Sequence, residues 1–359
     1  MRRFLLPIAI LVLAAACGPT PAQQEAQDPT PAPEARAAQA LPAGGLFAYS
    51  YEPGGSYTYS FRLIETMDIT FDTQGNAAFL DGEEPPPESV QADVLIGGTV
   101  TYDVAAGPEP DTYEITVSGT FDEMSVNGTV DGQPMPDGMD LSEAGAPELI
   151  EVPSATIVID SQGRVIEGAV GGEPLPSLDL FADPFSSFEG ITSGGLNGHF
   201  GPAFPEGPLE MGEMWTHTVT EQIMDQTFTA ESTYVVDKVT EVDGAKLAVI
   251  NTTRSFSGLT LDLGEMFVAL FQGFAEMSED PGAEAQLADG LDFTFLISLA
   301  PSTASGNVSF DPALGLTTQW TQNTNLGMTM DFAMDDGNQA GSMKMNMLFD
   351  IAIEAQLEA

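Results

Sequence analysis

Apolar and polar residues alternate with period two over long stretches of this chain. In SYTYSFRL, residues 56–63, Tyr57, Tyr59 and Phe61 fall on one face, with Ser and Thr on the other. That is the pattern of a half-buried strand. MDITFD (67–72), TVTYDV (99–104) and YEITVSGTF (113–121) continue it, the last two on either side of a GPEPD turn. The pair Asn127-Gly128 predicts a hairpin turn. SATIVIDSQGRVIEG (154–168) predicts a strand, a turn at Ser161 to Gly163, and a second strand. Residues 169–212 are rich in Gly, Pro and Phe and lose the period; they read as a connector covering core edges. Strand patterns then resume in MWTHTVTEQ, QTFTAESTYVVDKV, KLAVINTTRSF, DFTFLISLA and SGNVSFDPALGLTTQWTQ. One stretch differs. Over 264–277, Met266, Leu270 and Phe274 recur at spacing four beside Phe267 and Phe271, which predicts a short helix.

The alternation ends in methionine. Met328, Met330, Phe332 and Met334 share one face of a predicted strand. Met343, Met345, Met347, Phe349, Ile351 and Ile353 share one face of the next. Thr, Asp, Lys and Asn occupy much of the opposite side, so the pair reads as a hairpin with one apolar and one wet face. Three uses of that face are open. It packs a core; it lines an adaptable apolar cavity or groove for a lipid-like ligand; or its thioethers coordinate Cu(I). Aromatic and aliphatic residues continue the same stripe with no His or Cys beside it, which disfavours copper, and no metal site is assigned.

Segments of the two halves resemble each other. GGSYTYSF (54–61) matches GEMWTHTV (212–219), and SATIVIDSQGRVIE (154–167) matches SGNVSFDPALGLTTQ (305–319). The offsets, 158 residues from Tyr57 to Trp215 and 151 from Asp160 to Asp311, are nearly equal. Two related β units in tandem are expected. The fold class is therefore mostly β, with two antiparallel curved-sheet or half-barrel units over 46–170 and 213–359, a connector over 171–212, and one short helix in the second unit.

The N-terminus changes the picture of where this body sits. Met1-Arg2-Arg3 is a short basic region, Phe4 to Leu13 an apolar one, and Ala14-Ala15-Ala16 leads into Cys17, the only cysteine. This is the pattern of a secretory signal over residues 1–16, too short for a membrane span. With one cysteine no intramolecular disulfide forms. The segment resembles the lipobox of bacterial lipoproteins, with Ala14 where that pattern prefers Leu. The resemblance implies cleavage before Cys17, a diacylglycerol thioether on it and N-acylation. Two or three acyl chains, at about 0.8 kcal/mol per buried CH₂, anchor a protein permanently in a bilayer. Residues 17–45, rich in Pro, Ala and Gln, read as the lipidated cysteine and a disordered tether. As polyproline II, at ~3.1 Å per residue, the tether would reach some 85 Å.

The chain has 54 acidic and 9 basic residues and a formal charge of −45. Such a surface repels nucleic acid and anionic headgroups, so neither is an expected partner. Acids spread along the chain suit a saline habitat; cation or basic-partner binding is the alternative. Hydrophobic residues at 43% exclude a disordered body.

Past the tether the chain resembles a family of uncharacterised bacterial lipoproteins marked by Pro-x-x-x-(apolar)-x-x-Gly-x-x-Trp and Phe-Asp-x-x-x-Gly segments. These are FPEGPLEMGEMW (204–215) and FDPALG (310–315). The resemblance implies a β-rich envelope lipoprotein and transfers no catalytic residue.

Little chemistry is legible. His217 shares a strand face with Trp215 and Val219 and reads as a hydrogen-bonded, partly buried residue, and His199 lies in the loop NGHFG. There is no HExxH, no G-x-S-x-G and no phosphate-binding glycine loop. A glycoside hydrolase needs two carboxylates at a set separation, and 54 acids offer no way to choose a pair. The expected function is a non-enzymatic, lipid-anchored envelope module, and no cofactor is expected. Its apolar face, Met328, Met330, Met334, Met343, Met345, Met347 and Trp215, would hold a hydrophobic small molecule under curved sheets or meet an envelope protein. The alternatives are a structural or assembly component without ligand, and a carboxylate-dependent hydrolase. An outer-membrane location is expected.

Overall fold

The computed structural model describes residues 45–75, 87–134, 150–170, 173–174, 201–223, 226–242, 244–264, 292–335 and 340–358. Among them, alternation becomes strand throughout. The strands of the first half are β1 (Gly45–Leu46), β2 (Ser56–Gly75), β3 (Ser89–Ala106), β4 (Thr112–Val130), β5 (Gln133–Pro134), β6 (Ile150–Asp160), β7 (Val165–Val170) and β8 (Glu173–Pro174). Those of the second are β9 (Pro208–Leu209), β10 (Met214–Ile223), β11 (Gln226–Val242), β12 (Ala245–Phe256), β13 (Leu259–Asp262), β14 (Asp292–Leu299), β15 (Ser302–Asp311), β16 (Leu316–Asp335) and β17 (Ala340–Leu357).

Fifteen strands form one antiparallel sheet in the order β10-β11-β12-β15-β16-β17-β2-β3-β4-β6-β7-β8, with β13-β14 added along β16 and β5 along β4. The mostly β, antiparallel expectation holds. The two expected units are the two flanks of this single sheet, joined where β17 pairs β2 over its whole length. The two flanks share one order of antiparallel strands. β2-β3-β4-β6-β7 is matched by β10-β11-β12-β15-β16, and the ladders carry a register shift at Val158/Ile159 and at the corresponding Ser309/Phe310.

The predicted repeat is seen in its hydrogen bonds. Gly54 N donates to Val104 O and Gly212 N to Val236 O, at 2.7 and 2.8 Å. The two similar turns are closed by aspartate. Asp160 Oδ1 accepts from the backbone of Gln162 and Arg164, and Asp311 Oδ1 from that of Ala313 and Leu314. Both turns need glycine. Gly163 (φ 81°) and Gly315 (φ 69°) lie in the left-handed region. A Cβ on Gly163 would stand 2.3 Å from the Tyr49 ring, and one on Gly315 2.6 Å from the Ser50 backbone. Between them runs residues 47–51, with Tyr49 N donating to Ser161 O and Ser50 N to Gly315 O.

The inner faces of the two flanks meet. Tyr102, Val104, Ile115 and Ile159 of one flank and Tyr234, Val236, Ile250 and Phe310 of the other lie in one buried cluster. A flat sheet could not bring them together; bulges such as those at Gly97/Gly98 and Val236/Lys238 bend the strands. The two segments preceding β2 and β10 fill this cluster and pair as β1 and β9. Phe204 is therefore central rather than peripheral, with its ring 4.7 Å from that of Phe310 and 5.4 Å from that of Tyr49. The described part of the connector enters the core instead of covering its edge, because Phe204 and Leu209 gain most by burying their apolar side chains in the aromatic cluster.

The hairpin turn expected at Asn127-Gly128 is not there. Both residues pair within β4, opposite Asp93 and Ala92. The turn comes at Asp131-Gly132, both with positive φ, leading into β5. The two dipeptides offer the same local chemistry, and the long partner β3 decides between them. The helix expected over 264–277 lies, beyond Gly264, outside the described residues, as do residues 1–44 with Cys17 and His199.

Candidate functional site

Among the described residues three apolar clusters line the inner surface of the sheet. The methionines form part of the second. Met328 pairs across the strands with Met347, and Met330 with Met345. Met328 and Met347 are buried, and Met330 and Met345 pack half-buried against the same cluster, which also holds Met67, Ile69, Phe349 and Ile351. Met343 is half-buried and pairs Phe332. Met334 pairs Phe293 and Gly341; its side chain lies outside the described residues. Trp215 does not join this group. It belongs to the aromatic cluster, stacked on Tyr234 at 5.3 Å, with its indole N–H donating to Ala203 O.

Acidic residues at the opposite parity, among them Asp93, Asp103, Glu114, Glu231 and Asp350, are exposed. The exterior is thus anionic and the interior mainly apolar, with a few buried polar side chains, Glu65, Ser232 and Arg254 among them. Between the aromatic and methionine clusters the ladders align a single transverse row, His217–Ser232–Arg254–Ala304–Thr324–Ile351–Glu65–Val94–Val126, across nine strands. At its β12 end, the buried Arg254 donates from Nε to Ser232 Oγ at 2.8 Å and lies 5.8 Å from the centre of the Phe256 ring. His217, half-buried, has its pKa lowered by burial first and then by the Arg254 and Arg164 charges, against an opposing effect of Asp160. Desolvation likewise makes Arg254 easier to deprotonate than an exposed arginine, partly offset by Tyr234.

Toward the other end, Glu65 is 0% exposed, and among the described residues neither carboxylate oxygen has a hydrogen-bond partner. Its neighbours on the inner face are Leu63 and Met67 along β2 and Ile351 and Val94 across the ladders. Burial pushes its pKa up to about 8. A carboxyl so raised is the kind a general acid requires, but its cross-strand neighbours supply no second carboxylate of the pair that glycoside hydrolysis uses. Reading the chain for motifs passes over Glu65 and Arg254. Their signal is parity: Glu65 falls in step with Leu63, Met67 and Ile69, and Arg254 with Ala248 and Ile250.

Among the described residues no group of three His, Cys, Asp or Glu side chains could hold a metal ion. No helix there is long and apolar enough to cross a membrane. No family model matches the chain, and no curated protein matches it. Among solved structures, the crystal structure of Pseudomonas aeruginosa OccK5 (OpdH) is similar over 84% of this chain and 98% of that one, at 8% identity and a TM-score of 0.15. A likeness at that score carries no weight for fold or role.

Proposed function

We propose that this protein is a lipid-anchored module of the cell envelope, tethered through Cys17 to the outer membrane. It holds a hydrophobic small molecule against the inner face of its curled sheet. The observation that carries this reading is the division of the sheet: an acidic outer face, and an inner face where thioethers from β16 and β17 meet apolar residues of β2 and β14. Methionine suits varied apolar shapes because its unbranched chain adopts many rotamers at little cost. The lipobox resemblance at Ala14 to Cys17 supports the anchor, and the polar tether that follows supports a body held away from the bilayer.

Native mass spectrometry of the protein purified from its own membranes tests the reading. A co-purifying apolar mass in stoichiometric amount is the expected result. A bare chain that also takes up no added lipid would sink it. One observation favours a second reading, a structural or assembly component without ligand: Met328, Met347, Phe349 and Ile351 are already buried against one another. The same spectrum separates the two.

A further inference from the structure

A carboxyl with both oxygens buried and unpartnered is rare, because desolvating it without a compensating bond costs several kcal/mol. Glu65 bears that cost at a particular place. It lies on the seam where β17 joins β2, between Leu63 and Val94 of the third apolar cluster and Met67 and Ile351 of the methionine cluster. It lies on the inner face of β2, which holds Met67 and Ile69 toward the methionine side. On the same inner wall, the buried Ser302 Oγ of β15 also has no hydrogen-bond partner among the described residues. The buried cation of the row is differently placed, since Arg254 is held by Ser232 on the far flank.

We propose that Glu65 is the acceptor for the head group of a long-chain amphiphile that donates hydrogen bonds, an amine or an alcohol, whose chain lies along the methionine stripe. This rests on the reading of the protein as a hydrophobic-ligand module and adds the head-group chemistry. The carboxyl offers more acceptor than donor sites. An ammonium would exchange an unpaired buried acid for an ion pair. A chain of formal charge −45 disfavours anionic ligands before they arrive. Because Glu65 is enclosed, a head group reaches it by displacing neighbours, and Met67 and Met347 are among the side chains that yield most readily.

The test is a titration of the full-length protein, held in an amphipathic polymer, with dodecylamine, dodecanol and dodecanoate at neutral pH. The readout is fluorescence of Trp215 and Trp320, the chain's two tryptophans, both packed against the interior clusters. Dodecylamine is expected to bind about tenfold or more tightly than dodecanoate, with dodecanol between them. Glu65→Gln is expected to weaken dodecylamine about tenfold and dodecanol about threefold or less, since the amide keeps an acceptor but loses the charge. That variant removes a buried acid and so folds at least as well as the parent. Dodecanoate binding as tightly as the amine, or amine binding unchanged in Glu65→Gln, overturns the head-group assignment while leaving a hydrophobic ligand in place. Failure of all three to bind defeats that broader reading as well.

Discussion

Glu65 sets a pH dependence whose sign follows from its burial. An unfolded-chain glutamate titrates near 4.3, whereas burial raises this one to about 8. Between those values the folded state keeps a proton that the unfolded state releases, so stability is highest below the unfolded value. It falls as pH rises through this window and levels off above the folded value. By pH 7 the loss is on the order of 3 kcal/mol. Glu65→Gln should flatten urea-denaturation stability between about pH 4.5 and 8 and raise it at pH 7 by roughly 1–3 kcal/mol, less than the whole loss because a buried amide is itself unpaired. A parent whose stability stays level over that range would mean the carboxyl finds a partner in solution. At the same scale, Gly315→Ala combines positive φ with an approach of 2.6 Å to the Ser50 backbone, and should cost roughly 1–3 kcal/mol. Gly207, with open space around its would-be Cβ, is the control: Gly207→Ala should move thermal unfolding by no more than about 0.5 kcal/mol.

The elements were largely legible because alternation is a property of neighbours. The faces of β16 and β17 can be read from every second residue, and the inward stripe Met343 to Ile353 is half-buried to buried in the fold. Depth is less legible than face. Parity places Glu65 and Arg254 inward but does not say that both will be desolvated, since that depends on the opposite flank arriving. Turn position was ambiguous for a similar reason, with Asn127-Gly128 and Asp131-Gly132 locally equivalent and the length of β3 settling the matter. The methionine hairpin supplies a direct comparison of face against depth. Met347 is 3% exposed and its neighbour Leu348 64%. Met347→Ala should lower stability by about 2–4 kcal/mol, and Leu348→Ala by no more than about 0.5 kcal/mol, in the same urea titration. Equal losses would mean the inward face of this hairpin is not packed.

At the scale of the whole molecule, the feature least visible in the sequence is the joint between β17 and β2, where Leu357 meets Tyr59. A period-two pattern says which face is buried and nothing about which strand lies alongside, so two tandem units could be read without the seam that makes them one sheet. That seam puts the outward acids of both halves on one continuous surface. Among the described residues two ion pairs offset them, Arg164–Asp160 and Lys344–Asp331, the second at 3.4 Å between exposed groups. Exposed pairs of this kind contribute little, about 0–1 kcal/mol each. Self-repulsion is therefore the main electrostatic effect on the folded body, and salt should relieve it. Screening acts first at low ionic strength, where the Debye length falls from about 30 Å at 0.01 M to about 10 Å at 0.1 M. The apolar core responds mainly to higher concentrations of excluded salts. Calorimetric unfolding in KCl should accordingly show its steepest rise in midpoint below about 0.3 M, with equal concentrations of NaCl giving the same curve. A rise specific to one cation would instead indicate bound counter-ions among the surface carboxylates, and a flat curve would mean that the acids of the two flanks stand too far apart to repel.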